Sequence, residues 1–251
     1  MMALMFTKSF SVPLSEVTPC HAQKPFHILN MLQDAADGAV EWARPGDEYW
    51  NNGCGWMLRQ YSIRLSRPLT AGDSGTINTG HVMLRDLYSA RRFVLYDEND
   101  RQFGMADSLW IYVDLKSRRP QRLSRRLPSA FVRTMENPPF EPLLREPERL
   151  TCADIQLRLH VRLGELDVNG HVNNAYYLSW AAEAVPRDVY LRCGIVGADI
   201  LYKHEAVYGM DLVVTAQQTG ELKYLHEIKN TEGTLIACFA TQWAPLAERN
   251  P

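Results

Sequence analysis

Apolar residues recur at helical spacing along HILNMLQDAADGAVEW (27–42), where Ile28, Leu32, Ala35, Ala39 and Trp42 fall on one stripe. That spacing predicts an amphipathic helix. Arg44-Pro45-Gly46 ends it, because a residue ahead of proline avoids the helical region. In MLRQYSIRL (57–65) the period changes to two: Tyr61, Ile63 and Leu65 alternate with Gln60, Ser62 and Arg64, as in a half-buried strand. GTINTGHVML (75–84), RRFVLY (91–96) and MADSLWIYVD (105–114) continue as strands, with Asp97-Glu98-Asn99-Asp100 as a hairpin turn. A helix followed by an antiparallel meander is expected for residues 1–117.

From Arg118 the periodicity lapses, and Pro128, Pro138, Pro139, Pro142 and Pro147 supply five of the 14 prolines. Residues 118–150 read as a linker that crosses the surface. It carries a dense basic cluster: Arg118, Arg119, Arg122, Arg125 and Arg126. Over 151–251 the first order repeats. A strand (QLRLHVRL, 156–163) leads into HVNNAYYLSWAAEAV (171–185), apolar nearly all round and so a buried helix that Pro186 stops. Strands DILYKHEAV (199–207), DLVVTAQQ (211–218), KYLHEIKN (223–230) and TLIACFATQW (234–243) follow.

The two halves can be overlaid. Asp97 meets Asn230 and Trp110 meets Trp243 at one offset, 133 (230 − 97, 243 − 110). Asp73 meets Asp211 at 138, and Asp34 meets Glu183 at 149 (211 − 73, 183 − 34). The repeat is too long for a solenoid unit. It describes a duplicated α+β unit, an apolar helix wrapped by a curved antiparallel sheet, whose second copy covers the edge and face left open by the first.

The charge balance, 27 Lys and Arg against 29 Asp and Glu in 251 residues, argues against a nucleic-acid or anionic-membrane coat. No apolar run reaches the roughly 20 residues of a membrane span. MMALMFTKSF lacks the basic start of a signal peptide. Five scattered cysteines (Cys20, Cys54, Cys152, Cys193, Cys238) exclude a fully paired disulfide framework, and no CxxC or His/Cys cluster suggests a metal. A soluble cytoplasmic chain with free thiols is expected. Gly-rich phosphate loops and a GxSxG elbow are both absent, so no cofactor is expected.

The informative stretch is GELDVNGHVNN (164–174), which sets Asp167, Asn169 and His171 at alternate positions ahead of the buried helix. Helix N–H groups there favour an oxyanion, and a carboxylate, a carboxamide and an imidazole beside them can activate water at a carbonyl. A plainer reading stands beside it: Asp167 or Asn169 caps the helix, and Asn169-Gly170 makes a turn. Glu205 falls in mid-strand, where it either faces a site or simply faces water with Lys203. In the overlay these positions become Thr18, Cys20, Ala22 and Arg67, so only the second half carries the polar set.

DVNGHVNNAYY from Asp167, EAVP from Glu183, HEA from His204 and GMD from Gly209 resemble the acyl-ACP thioesterases of plants and bacteria. In the first half LNMLQDAA from Leu29, GCGWMLR from Gly53, IRLSRP from Ile63, SLWIYVD from Ser108 and RRP from Arg118 extend the resemblance, which runs from about Phe10 to Trp243. It implies a tandem (double) hotdog of α+β class, with an acyl pocket in the N-terminal hotdog and catalysis in the C-terminal one. It implies catalytic roles for Asp167, Asn169, His171 and Glu205, a fatty acyl chain as substrate, and acyl carrier protein as partner, for which the Arg118–Arg126 cluster offers a docking patch. A homodimer of the tandem unit is a further assembly that hotdog proteins admit. Plant members commonly place cysteine after that glutamate; Ala206 stands here, so direct attack by water replaces a cysteine nucleophile. The alternatives are an acyl-CoA thioesterase and a non-catalytic hotdog that binds acyl thioesters.

Overall fold

The computed structural model describes residues 6–43, 53–135 and 142–246. The Arg44-Pro45-Gly46 stop, Pro138 and Pro139 lie outside the described residues. In chain order the elements are β1 (Phe6–Ser11), α1 (Pro25–Ala43), β2 (Cys54–Leu65), β3 (Ser74–Leu84), β4 (Tyr88–Asp97) and β5 (Gln102–Asp114). Two short helices follow, α2 (Leu123–Arg126) and α3 (Ser129–Met135). The second half has β6 (Ile155–His160), α4 (Asn174–Glu183), α5 (Arg187–Arg192), β7 (Cys193–Tyr202), β8 (Asp211–Gly220), β9 (Lys223–Asn230) and β10 (Leu235–Pro245).

The ten strands of the described residues form one sheet in the order β1-β3-β4-β5-β2-β7-β10-β9-β8-β6, whose second five mirror the first. The seam is antiparallel β2 against β7, with Tyr61 opposite Ile200 and Ile63 opposite Ala198. The repeat extends to individual hydrogen bonds. Asp97 Oδ1 accepts the N–H groups of Asn99 and Arg101, and Asn230 Oδ1 accepts those of Glu232 and Thr234. Trp110 Nε1 donates to Ser108 Oγ, and Trp243 Nε1 to Thr241 Oγ1. Each half wraps its sheet around one helix, and the two helices touch where the Phe26 and Tyr176 rings lie 4.4 Å apart.

Helix α1 buries Ile28, Leu32, Ala35 and Ala39 as the stripe requires, but Trp42 at its end is 55% exposed, beside Phe6. The alternation in β2 also gives way at its centre, where Gln60, Tyr61, Ser62 and Ile63 are all buried. Residues of the 118–150 stretch approach the polar face of the sheet here. Leu143 N–H donates to Asp107 Oδ2 (2.6 Å) and Arg145 N–H to Ser62 Oγ (3.2 Å). Earlier in the same stretch, Leu123, Leu127, Phe131, Val132 and Met135 form a small second core with Tyr112. The prolines and arginines between these residues hide two helices too short to show a period.

His226 is fully buried and bonded through Nε2 to Thr241 Oγ1 (2.8 Å), and burial holds its pKa down at about 3. His81, buried beside Arg91, is also held well below the usual value, by burial first and the guanidinium second. The unfolded chain takes these protons near pH 6.5 while the folded chain does not. Stability is therefore complete above about pH 6.5 and falls on acidification by about 1.4 kcal/mol per pH unit for each such group, until the folded value is reached. Melting temperatures from pH 7.5 to 4.5 should show this slope, and His226→Gln should roughly halve it, leaving the share of His81.

Candidate active site

The DVNGHVNN segment folds as a tight turn and a helix cap. Asp167 N–H donates to His171 O (2.7 Å) and Gly170 N–H to Asp167 O (3.0 Å). Gly170 sits at φ 78°, a conformation that favours glycine. Asp167 Oδ1 accepts the backbone N–H groups of Asn169 (2.8 Å) and His171 (3.4 Å), and the Asn169 amide reaches Asp167 Oδ2 (3.3 Å). The first half makes the same turn without an acid: Thr18 N–H bonds Ala22 O, and His21 takes the place of Gly170 at φ 67°. The turn is common scaffold, and the polar side chains are particular to the second half.

The helix itself begins at Asn174, later than its apolar pattern suggests, because His171 and Val172 remain extended, bridging to Val207 and Leu166. Asn173 Oδ1 caps it by accepting Ala175 N–H (2.9 Å). Among the described residues the Asn174 N–H has no acceptor, as expected at the first helical position.

Strand β7 ends at Tyr202, so Glu205 is not in mid-strand; it lies on the loop that follows. That loop brings Glu205 Oε2 to 3.4 Å from His171 Nε2. Both side chains line a cleft of about 660 Å³ between the halves, which Trp56, Met57 and Ile111 of the first half also line. Asp167 and Asn169 also line it, but their hydrogen bonds go to the turn and each other, holding the backbone of His171 rather than its ring. Tyr177 lies beneath and accepts Ala206 N–H (2.8 Å). Burial pushes its hydroxyl up to about 12, with the Glu205 and Asp167 charges adding to the effect, so the group stays protonated and able to donate.

Tyr177 is indistinguishable from core in the sequence, whereas the helix-start N–H groups are among its expectations. Arg118 is expected there only as part of a basic docking patch. Its guanidinium enters the cleft and grips Glu205 with two bonds, to Oε1 (3.0 Å) and Oε2 (2.8 Å). Arg119, Arg122, Arg125 and Arg126 are exposed.

A curved sheet around one apolar helix, doubled in a single chain, defines a double hotdog, and the second half places a carboxylate–imidazole pair in the cleft between the copies. Sequence profiles of the acyl-ACP thioesterase N-terminal and C-terminal domains match residues 3–129 and 149–245. The chain belongs to the acyl-ACP thioesterase family. It is 29% identical over 203 residues to the chloroplastic acyl-(acyl-carrier-protein) hydrolase FATB1 of Cuphea viscosissima, covering 76% of this chain and 48% of that one. It is 23% identical to the chloroplastic dodecanoyl-(acyl-carrier-protein) hydrolase of Umbellularia californica, over 96% of this chain and 68% of that one. The chain thus spans about half the length of the first of these relatives. Two solved structures share the fold: the 12:0-ACP thioesterase from Umbellularia californica (TM-score 0.84, 20% identity, 98% and 99% of the two chains) and an acyl-ACP thioesterase from Bacteroides thetaiotaomicron (0.81, 19%, 95% and 97%). No helix among the described residues is long and apolar enough to cross a membrane.

Proposed function

We propose that the chain hydrolyses the thioester of fatty acyl-acyl carrier protein, releasing the free fatty acid. The observation that carries this reading is the His171–Glu205 pair, 3.4 Å apart in a cleft of about 660 Å³ beside a helix start. Residues 1–117 supply the acyl pocket, 151–251 the reacting groups, and 118–150 the connection. Free cysteines suit a reducing compartment such as the cytoplasm.

In the reaction, a water held between His171 Nε2 and Glu205 loses its proton to that pair as its oxygen bonds to the thioester carbon. The carbonyl oxygen becomes an oxyanion facing the Asn174 N–H at the positive end of α4, with the Tyr177 hydroxyl as a second donor. As the tetrahedral centre collapses, the C–S bond breaks, and the proton held by the pair passes to the departing thiolate. The products are fatty acid and the carrier thiol. Asp167 and Asn169 keep the turn that aims His171. Ala206, buried against Tyr177, offers no nucleophile.

Acyl carrier protein is acidic, and Arg119, Arg122, Arg125 and Arg126 are the exposed charges we assign to its approach. Raising salt from 50 to 300 mM should therefore lower kcat/KM for acyl-ACP severalfold, and Arg122→Glu with Arg125→Glu should do the same at low salt. The deciding experiment is fatty acid release from acyl-ACPs of about 6 to 18 carbons beside matched acyl-CoAs. Preference for the carrier protein supports the reading. Preference for CoA turns it to an acyl-CoA thioesterase, and tight binding without release turns it to a binding protein.

A further inference from the structure

We infer that Arg118, the first residue of the connecting stretch and anchored by the turn after β5, is the positioning residue for the reacting pair of the second half, so the site is incomplete within residues 151–251 alone. The inference rests on the thioesterase reading above and adds a residue to that machinery. One guanidinium meets both members: besides its two bonds to Glu205, Arg118 Nη2 lies 3.4 Å from His171 Nε2. A fork of two parallel bonds fixes the plane of a carboxylate as well as its position, which a lysine ammonium cannot do. With Glu205 on a loop rather than a strand, this grip supplies orientation that the backbone there does not.

The local chain is built to deliver this side chain. Beyond β5 the backbone turns back on itself: Asp114 N–H bonds Arg119 O (3.0 Å), Arg118 N–H bonds Asp114 O (2.8 Å), and Val113 bridges Pro120. Asp114 Oδ1 ties the turn by accepting Ser117 N–H (2.7 Å) and its hydroxyl (2.8 Å); those bonds hold its carboxyl below the usual range. Leu115 N–H fastens the turn to Gly53 O on the approach to β2 (3.0 Å). Arg118 itself occupies the left-handed region at φ 57°, where a side chain costs about 1 kcal/mol. An arginine stands at a position that suits glycine. The Arg118 and Glu205 side chains are 44% and 36% exposed, and ion pairs in such settings contribute little to stability. Their geometry is therefore better explained by the reaction than by folding.

The test uses the full chain with acyl-ACP and acyl-CoA as alternative substrates. Arg118→Met should lower kcat by about 10²-fold on both, with KM changed less than about 3-fold, because a misplaced reacting group costs turnover rather than binding. Guanidinium ion added to Arg118→Ala should restore part of the rate when sodium chloride of equal ionic strength does not. Arg118→Met placed on Glu205→Gln should cost nothing more than Glu205→Gln alone. Melting temperatures of Arg118→Met and Arg118→Lys should stay near the wild type. A raised KM for acyl-ACP with kcat kept would make Arg118 a docking residue and overturn the inference, as would full additivity with Glu205→Gln. Absence of hydrolysis by the wild-type chain would overturn the thioesterase reading and this inference together.

Discussion

Replacing His171 with alanine should lower fatty acid release from acyl-ACP by about 10³-fold, within the range that a positioned acid–base group contributes. The fold should survive, because the turn is held through the backbone of residue 171, by its N–H to Asp167 and its bridge to Val207, and alanine keeps both. What is lost is the imidazole, 26% exposed in the cleft and 3.4 Å from Glu205. Glu205→Gln should fall in the same range, since the amide keeps the shape but cannot take the proton. The two substitutions together should be little slower than either alone, because groups that act as a unit do not add. Release within a few fold of wild type by either single variant, measured under saturating substrate, would remove the pair from the mechanism.

Asp107→Ala should be the most destabilising of the changes considered, by about 3 kcal/mol. Asp107 is completely buried and holds Arg92 through two bonds, Nε to Oδ1 (2.9 Å) and Nη2 to Oδ2 (2.8 Å). It also accepts the Leu143 N–H, so one carboxylate ties β4, β5 and the crossing stretch together. Removing it leaves the guanidinium without that counter-charge and breaks one of the bonds that hold the stretch to the sheet. Because the Arg92 side chain is 17% exposed and reaches some water, the cost sits at the lower end for a broken buried pair. For a chain of this size that corresponds to a drop of roughly 10 °C in melting temperature. Asp107→Asn keeps an acceptor for Leu143 and should lose less. A change below about 1 kcal/mol would mean the pair is not a tether.

The elements legible in the sequence are those whose signal is local. The 3.6-residue stripe of α1 reports its buried face and the alternation in β2 reports a strand, and the paired Asp97/Asn230 and Trp110/Trp243 positions report the duplication because the same turn and the same Trp bond recur in both copies. Asp167, Asn169 and His171 are likewise legible, since turn and cap preferences operate within a few residues. The turn in the plainer reading is the one observed, tied by Asp167, but the helix is capped by Asn173 and not by Asp167 or Asn169. Glu205 was identifiable as a residue but not as a place, because strand pairing, and not propensity, ends β7 at Tyr202.

The chain by itself determined two helix-in-sheet units and the polar turn ahead of the second helix, because hydrophobic period and turn chemistry act over short range. Only the tertiary structure decided that β2 and β7 join ten strands into one sheet and that a stretch rich in proline and arginine packs against it. It also decided that Arg118 meets a glutamate 87 residues away. Those outcomes depend on which buried polar groups find partners once the two halves are brought together, and no local pattern of residues records that choice.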